Sequence, residues 1–461
     1  MLLGSDSDGY RSATRPHNSA TTQRPAAVAI ISEPAEIPDA LDAVSVLARS
    51  SQARLEVVPQ ATGHGAGAVV DERSVLFDTS PLSFVSIDPQ DRVATVGAGA
   101  TWAMVNAAAE RHGLSGLAGS AASVSVSGYT FGGGIGWLVR RGGLASGALR
   151  RVHYVDGRGG LRIAADDAVE QIDRDAIWSF RGAGGVGIAH TLELDLVPVA
   201  DLHAGALLWP GDALAELVAA WVDAVDGVGG GVSSSIAVLH VPPAPPFPEE
   251  LYGSVAVHLA IADPDGPTGA VPLLDAMRAA AAPVVDDWGP KDAAGLAHIH
   301  LDPPEAVPAI GDARWLDATT PEIAQDLLSV AAADASPLIM MEIRHVAGAP
   351  TRRHGAVVSP PGRFIYHAVG ALGRSTREQI GAGFARARTV WSAADAGTTP
   401  GSWVEGAAAV PSALAPDLRQ RARAISDAVD PDHRISRSRL LAGTVDRGRE
   451  KHHMTPDEGP T

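Results

Sequence analysis

Four glycine-rich segments fall within the first 190 residues, and they constrain this chain more than any other feature. They are Ala61-Thr62-Gly63-His64-Gly65-Ala66-Gly67, Gly97-Ala98-Gly99, Gly128-Tyr129-Thr130-Phe131-Gly132-Gly133-Gly134-Ile135-Gly136 and Gly182-Ala183-Gly184-Gly185-Val186-Gly187. Glycine adopts positive φ at no steric cost and lets backbone N–H groups converge on a concavity. One such segment alone reads as a tight turn in a β-rich protein, whereas four in succession read as the cradle of a large nucleotide cofactor. The only lysines are Lys291 and Lys451, neither in a GxxxxGK[ST] context, so a Walker-type phosphate loop is excluded. The fourth segment matches GxGxxG, but residues 191–197 after it alternate like a strand where a dinucleotide fingerprint requires a helix. A nucleotide would have to be held some other way.

Charge and composition remove other classes. The net charge of −17 repels phosphate backbones and anionic lipid surfaces, so neither nucleic acid nor a membrane is an expected partner. The absence of cysteine rules out disulfides, thiolate nucleophiles and cysteine-ligated metal sites. The longest uncharged window, 113–139, carries eight glycines and five serines and reads as packed loop, not as a membrane span. With no apolar leader and no twin arginine near Met1, the expected location is cytoplasmic. An Ala-, Gly- and Arg-rich, Lys-poor composition fits a bacterial source by association.

Along the chain, residues 28–31, 54–58, 75–77, 84–87 and 93–96 read as strands, with helices over 37–47 and 102–111 and a hairpin over 151–164. From about residue 202 the segments lengthen: helices are expected over 213–225, 271–282 and 418–429, and core strands over 338–346 and 364–369. The expected division is residues 1–200, then 201–404, then a return of 405–445 to the first unit, with 446–461 a disordered charged tail.

The order of the motifs resembles the FAD-binding family of vanillyl-alcohol oxidase and p-cresol methylhydroxylase, and within it the berberine-bridge-like and aclacinomycin-oxidase-like oxidoreductases. Residues 34–44 match the opening βα unit, Thr62-Gly63-His64-Gly65 the pyrophosphate loop, and 96–102 the next strand and helix start. Gly119-Ser120 with Gly128-Tyr129-Thr130 and Gly132-Gly133-Gly134-Ile135-Gly136 matches the flavin-cradling loop. Residues 178–188 match the segment that closes over the cofactor, and Val429-Asp430-Pro431-Asp432 the terminal Asp-Pro element.

The resemblance implies an α+β, two-domain fold of the p-cresol-methylhydroxylase type, whose substrate domain is an antiparallel sheet backed by helices. It implies FAD held by Ala61, Thr62, Gly63, His64, Gly65, Ala66, Gly119, Ser120, Ser123, Gly128, Thr130, Gly132, Gly133, Gly134, Gly136, Val186, Gly187 and Ile188. It also implies that His64 can bond covalently to the flavin 8α-methyl carbon, an imidazole being a good nucleophile near neutral pH. A second, cysteinyl attachment is impossible, because the corresponding position is Ala121. Where relatives carry a Tyr-x-Asn-Tyr/Phe element, this chain reads Trp403-Val404-Glu405-Gly406-Ala407. The usual tyrosine base is therefore missing.

The expected reaction is oxidation of an alcohol or amine carbon of a small organic or secondary-metabolite substrate, with O2 as acceptor. A non-redox flavoprotein catalysing cyclisation or elimination and a cofactor-less binding protein of the same fold stand beside it. For the proton acceptor the first candidates are Tyr366 and Glu342 on the sheet over the flavin, followed by His345, Tyr129 and Glu405. His298 and His300 would share one side of a strand, but no nearby carboxylate-histidine set completes a metal site, and none is expected.

Overall fold

The computed structural model describes residues 2–67, 70–303 and 305–442. Near the N-terminus, Ala27–Ile30 is flanked by the antiparallel Leu2–Leu3 and the parallel Ser74–Asp78, beyond which Glu56–Gln60 lies parallel. The crossover to Glu56–Gln60 is the helix Glu36–Ser51, whose buried stripe Ile37, Ala40, Leu41 and Val44 recurs at helical spacing. An antiparallel sheet follows, in the order Val85–Asp88, Val93–Gly97, Ile188–Asp195, Leu149–Val155, Leu161–Ala165. In Ile188–Asp195 every second residue is buried, so the alternation after the fourth glycine segment is that of a strand with one face in the core.

The expected helices and strands named above all form, with ends shifted by a few residues. The 113–139 window is buried over most of its length and contains the short helix Val126–Phe131.

Beyond residue 202 an eight-stranded antiparallel sheet runs in the order Val285–Asp286, His203–Pro210, Val255–Asp263, Ser233–His240, Met340–His345, Phe364–Ala371, Ala309–Leu316, with Gly289–Pro290 also beside His203–Pro210. The helices Leu214–Ala224, Val271–Ala280, Pro321–Ala332 and Arg377–Trp391 cover one face through Leu217, Trp221, Leu273, Leu327 and Ile380. Two of these helices carry local start signals: Thr320 caps one ahead of Pro321, and Thr376 with Gln379 forms a capping box for the other.

The chain then returns. Pro416–Val429 packs on Gln171–Phe180, and Ile435 bridges to Val57, with Val57 donating to the Arg434 carbonyl at 2.7 Å. Residues 443–461, which include 443–445 of the expected return and the whole of the charged tail, lie outside the described residues. No helix among the described residues is long and apolar enough to cross a membrane.

Candidate active site

The eight-stranded sheet's uncovered face is turned to the glycine loops, and the candidate site lies where they meet. On the loop side, Ala61 to Ala66 form a turn in which Ala66 N–H donates to the Gly63 carbonyl at 3.2 Å. His64 Nε2 is 2.9 Å from Ser123 Oγ, so the first glycine segment and the flavin-cradle loop touch through these two side chains. Burial, reinforced by the neighbouring His17, pushes the His64 imidazole down to about 3. It is neutral throughout the physiological range.

Tyr129 runs through the middle of the cradle, and the glycines make room for its ring. A Cβ on Gly134 would stand 2.6 Å from the Tyr129 ring, and one on Gly136 would stand 1.6 Å from the Ala118 carbonyl oxygen. Gly133, at φ +105°, has no atom within 4 Å of that position, which leaves open space beside the backbone. Tyr129 Oη, Thr130 Oγ1 and Trp137 Nε1 are buried there without a hydrogen-bond partner among the described residues. Buried polar atoms left unpaired cost free energy unless a ligand satisfies them. Arg439 lies within 3.5 Å of a Cβ placed on Gly65, and its half-buried guanidinium supplies the cationic charge that lysine does not. Open backbone, orphan donors and one half-buried cation fit a large dianionic nucleotide such as FAD. Burial pushes the Tyr129 phenol well up, so this residue is placed as a hydrogen-bond donor and not as a base.

On the sheet side, Glu342 and Arg344 alternate onto the uncovered face, each 1% exposed. Arg344 Nη2 sits 3.2 Å from both Glu342 oxygens, and its guanidinium is sandwiched between Trp137 at 3.8 Å and Trp403 at 4.5 Å. His300 Nδ1 is 2.6 Å from Asp302, and its Nε2 is 3.3 Å from Glu342. His367 faces Glu342 across the strand pair, with Nδ1 3.5 Å from Glu342 Oε1 and Nε2 3.5 Å from Glu405 Oε2. Glu405 reaches this position because residue 311 is glycine: a Cβ there would lie 1.8 Å from its Oε2. Carboxylates and imidazoles thus alternate from Asp302 through His300, Glu342 and His367 to Glu405.

Burial pushes Glu342 up, but Arg344 and His300 outweigh it and hold the carboxyl well below the usual range. Burial likewise opposes the charged forms of His300 and His367. Asp302 and Glu342 raise His300 to about 10, and Glu342 with Glu405 raise His367 to about 9.

Two expected proton acceptors lie elsewhere. Tyr366 pairs with Ile343, which puts it on the helix-covered face in the same core as Trp391, and burial raises its phenol still further above its ordinary value. His345 shares that face beside Phe364, and burial lowers it to about 3. A one-residue step along a strand reverses the side, so neither residue reaches Glu342. His298 and His300 are not on a strand: Gly295–Ala297 is a 3₁₀ turn, and His300 alone enters the cluster. Among the described residues no group of three or more His, Asp or Glu could hold a metal ion. The members that sequence reasoning missed are Asp302, Arg344 as a site residue, His367 and Arg439. Alternation signals Arg344, but the others depend on pairing register or long-range packing. A separate surface cleft of about 380 Å³ surrounds Asp195 with arginines that include Arg150, Arg352 and Arg353, and none of the candidate site residues lines it.

A glycine-lined nucleotide cradle facing an antiparallel sheet, with a polar cluster sealed between them, defines a two-domain FAD-binding protein. Residues 27–164 match the family model described as an FAD binding domain. Among curated relatives, an FAD-linked oxidoreductase of Dictyostelium discoideum is 28% identical over 39% of this chain and 38% of its own length. Berberine bridge enzyme-like 24 of Arabidopsis thaliana is 34% identical over 28% of this chain and 24% of its own length. The alignments therefore span less than two fifths of these relatives. Across nearly the whole chain the fold matches 6-hydroxy-D-nicotine oxidase of Arthrobacter nicotinovorans, at TM-score 0.77 and 18% identity, covering 94% of this chain and 96% of that one. It also matches the wild-type BBE-like 1 protein of Physcomitrella patens, at TM-score 0.77 and 16% identity, covering 96% of this chain and 97% of that one. Residues 27–164 thus form an FAD binding domain, and FAD is the cofactor.

Proposed function

We propose that the protein is an FAD-dependent oxidoreductase that oxidises an alcohol or amine carbon of a small organic substrate, with O2 as the final acceptor. The observation that carries this reading is the Glu342 side chain, buried among Arg344, His300 and His367 on the sheet face opposite the cradle. When bound, FAD supplies a two-electron acceptor for the hydride. Residues 1–200 with 405–445 would hold it through the glycine loops, with His64 the point of covalent attachment. Residues 201–404 would roof the substrate.

Glu342 then accepts the substrate proton. Its cationic neighbours keep it deprotonated near neutrality and ready to receive that proton. His367 joins it to Glu405, which is 30% exposed: charged near neutrality, the imidazolium donates Nδ1–H to Glu342 and Nε2–H to Glu405. Relatives of this fold include proteins named as oxidases of 6-hydroxy-D-nicotine and of xylooligosaccharides, so the scaffold serves oxidation of unlike molecules.

The test is anaerobic mixing of the FAD-loaded protein with panels of alcohols and amines. A substrate should bleach the oxidised flavin band in the wild type, and Glu342→Gln should bind FAD yet bleach far more slowly. Turnover without bleaching would replace the redox reading with a cyclase or lyase on the same scaffold.

A further inference from the structure

The segment before the first long strand carries a second imidazole to the cofactor loop. His17 stacks on His64 with ring centroids 3.6 Å apart and planes within 17°. Its backbone is fixed there, because His17 N–H donates to the Thr62 carbonyl at 3.0 Å and Asn18 N–H to the Gly63 carbonyl at 3.2 Å. Pro16 closes on the same loop: a Cβ on Gly63, which has φ +74°, would lie 2.6 Å from the Pro16 Cβ. Asn18 also donates through Nδ2 to the Ala309 carbonyl at 3.0 Å, which ties the segment to the eight-stranded sheet.

We propose that His17 is a positioning residue for covalent attachment of FAD to His64, that attachment is through Nδ1, and that Ser123 selects this nitrogen. The proposal rests on the reading that His64 carries the flavin. Its geometry is independent of the substrate chemistry. Ser123 Oγ takes Nε2 at 2.9 Å, and Nδ1 has no hydrogen-bond partner among the described residues. With its proton on Nε2 and donated to Ser123, the ring presents the Nδ1 lone pair. The His17 ring covers one face of this imidazole, keeps water off it and holds its plane. The charged or titratable groups that face His64 are His17 and Asp302, and burial with His17 keeps His64 unprotonated and hence nucleophilic.

The step balances as follows. An N–C bond forms between His64 Nδ1 and the 8α-methyl carbon, one methyl C–H bond breaks, and the Nε2 proton leaves through Ser123 to water. The electron pair of the C–H bond reduces the flavin ring, which takes up the methyl proton and one proton from water, and O2 removes both electrons and both protons as hydrogen peroxide. The imidazole contributes no electrons beyond the bonding pair, so O2 is the oxidant that restores the yellow form.

The experiment follows attachment and not turnover. Wild type, His17→Ala, His17→Phe, Ser123→Ala and His64→Ala would be prepared without flavin and incubated aerobically with FAD. Total bound flavin is read before acid precipitation, and covalent flavin is read in the pellet. His64→Ala should bind FAD but leave a colourless pellet. His17→Ala should attach flavin about tenfold more slowly or worse, the scale on which misplaced reacting groups lose rate. His17→Phe, which restores a stacked ring, should recover much of that rate. NMR of the flavin-bearing peptide should show substitution at Nδ1. A colourless wild-type pellet would reject attachment at His64 and this proposal with it. A yellow wild-type pellet with His17→Ala attaching at the wild-type rate would overturn the role of His17 alone, and substitution at Nε2 would overturn that of Ser123. Should His17→Ala fail to bind FAD, His17→Phe decides: a rate as low as that of an unstacked loop overturns the proposal.

Discussion

The two faces of the eight-stranded sheet are made by the same strands, one residue out of step, and they have opposite chemistry. On the helix side, Met341, Ile343, Phe364 and Tyr366 join Leu217, Trp221 and Leu327 in a dry core. On the cradle side, Glu342, Arg344 and His367 are joined by Ser233 and Ser235, whose hydroxyls are buried without partners among the described residues. The dry face stabilises the sheet by burying apolar area. The polar face gives up that stabilisation and retains charges that only mutual pairing makes tolerable. A strand that sacrifices core on one side alone marks that side as the one selected for chemistry.

The largest effect should come from breaking the polar face's pairing. Arg344→Ala strands Glu342 in a buried site and should cost about 3–5 kcal/mol in urea denaturation. A cost below about 1 kcal/mol would show that His300 and His367 compensate the carboxylate without Arg344. On the dry face Ile343→Ala should cost about 2–4 kcal/mol by loss of packing, with the oxidised flavin spectrum unchanged. A spectral change there would mean that the two faces are not separate.

The two kinds of histidine give the next test. His300 and His367 are raised to about 10 and about 9, so the stability they contribute is fully present below their unfolded value near 6.5 and is lost as pH rises through 9 to 10. His64, His258 and His345 are lowered to about 3, so the unfolded chain takes up protons that the fold refuses as pH falls below 6.5, and stability drops there too. A plot of Tm against pH should therefore be a dome with its top near neutrality. His367→Gln should flatten its alkaline side, and His345→Gln should flatten its acid side. The smallest effect is expected of Tyr366→Phe. Its hydroxyl is buried unpaired on the dry face, so its removal should be neutral or stabilising by about 1 kcal/mol and should leave flavin reduction by any substrate unchanged. A loss of reduction would restore Tyr366 as a proton acceptor.

Local features made much of this legible. The alternation of residues 340–345 places Glu342 with Arg344, and the absence of a helix after Gly187 removes the dinucleotide fingerprint. What the alternation leaves open is which neighbour each residue meets. The pairing of Glu342 with His367, and not Tyr366, is set by register between two strands that are joined through a loop of some length. Ser233–His240 begins with three serines, poor strand formers in isolation, yet it is buried at the middle of the sheet. His300 sits in an irregular segment whose course is fixed by its partners. The contacts of His17 with His64 and of Arg439 with Gly65 join residues that no window along the chain contains.

The return of the chain to its first unit has a consequence for the order in which the protein becomes functional. Ile435 bridges to Val57, Arg434 bonds the Leu41 carbonyl and Ser45, and Arg439 lies beside Gly65. The cofactor loop leaves the ribosome long before the cation beside it. The nucleotide site is therefore completed only after the whole intervening sheet domain has been made and the returning segment has followed it.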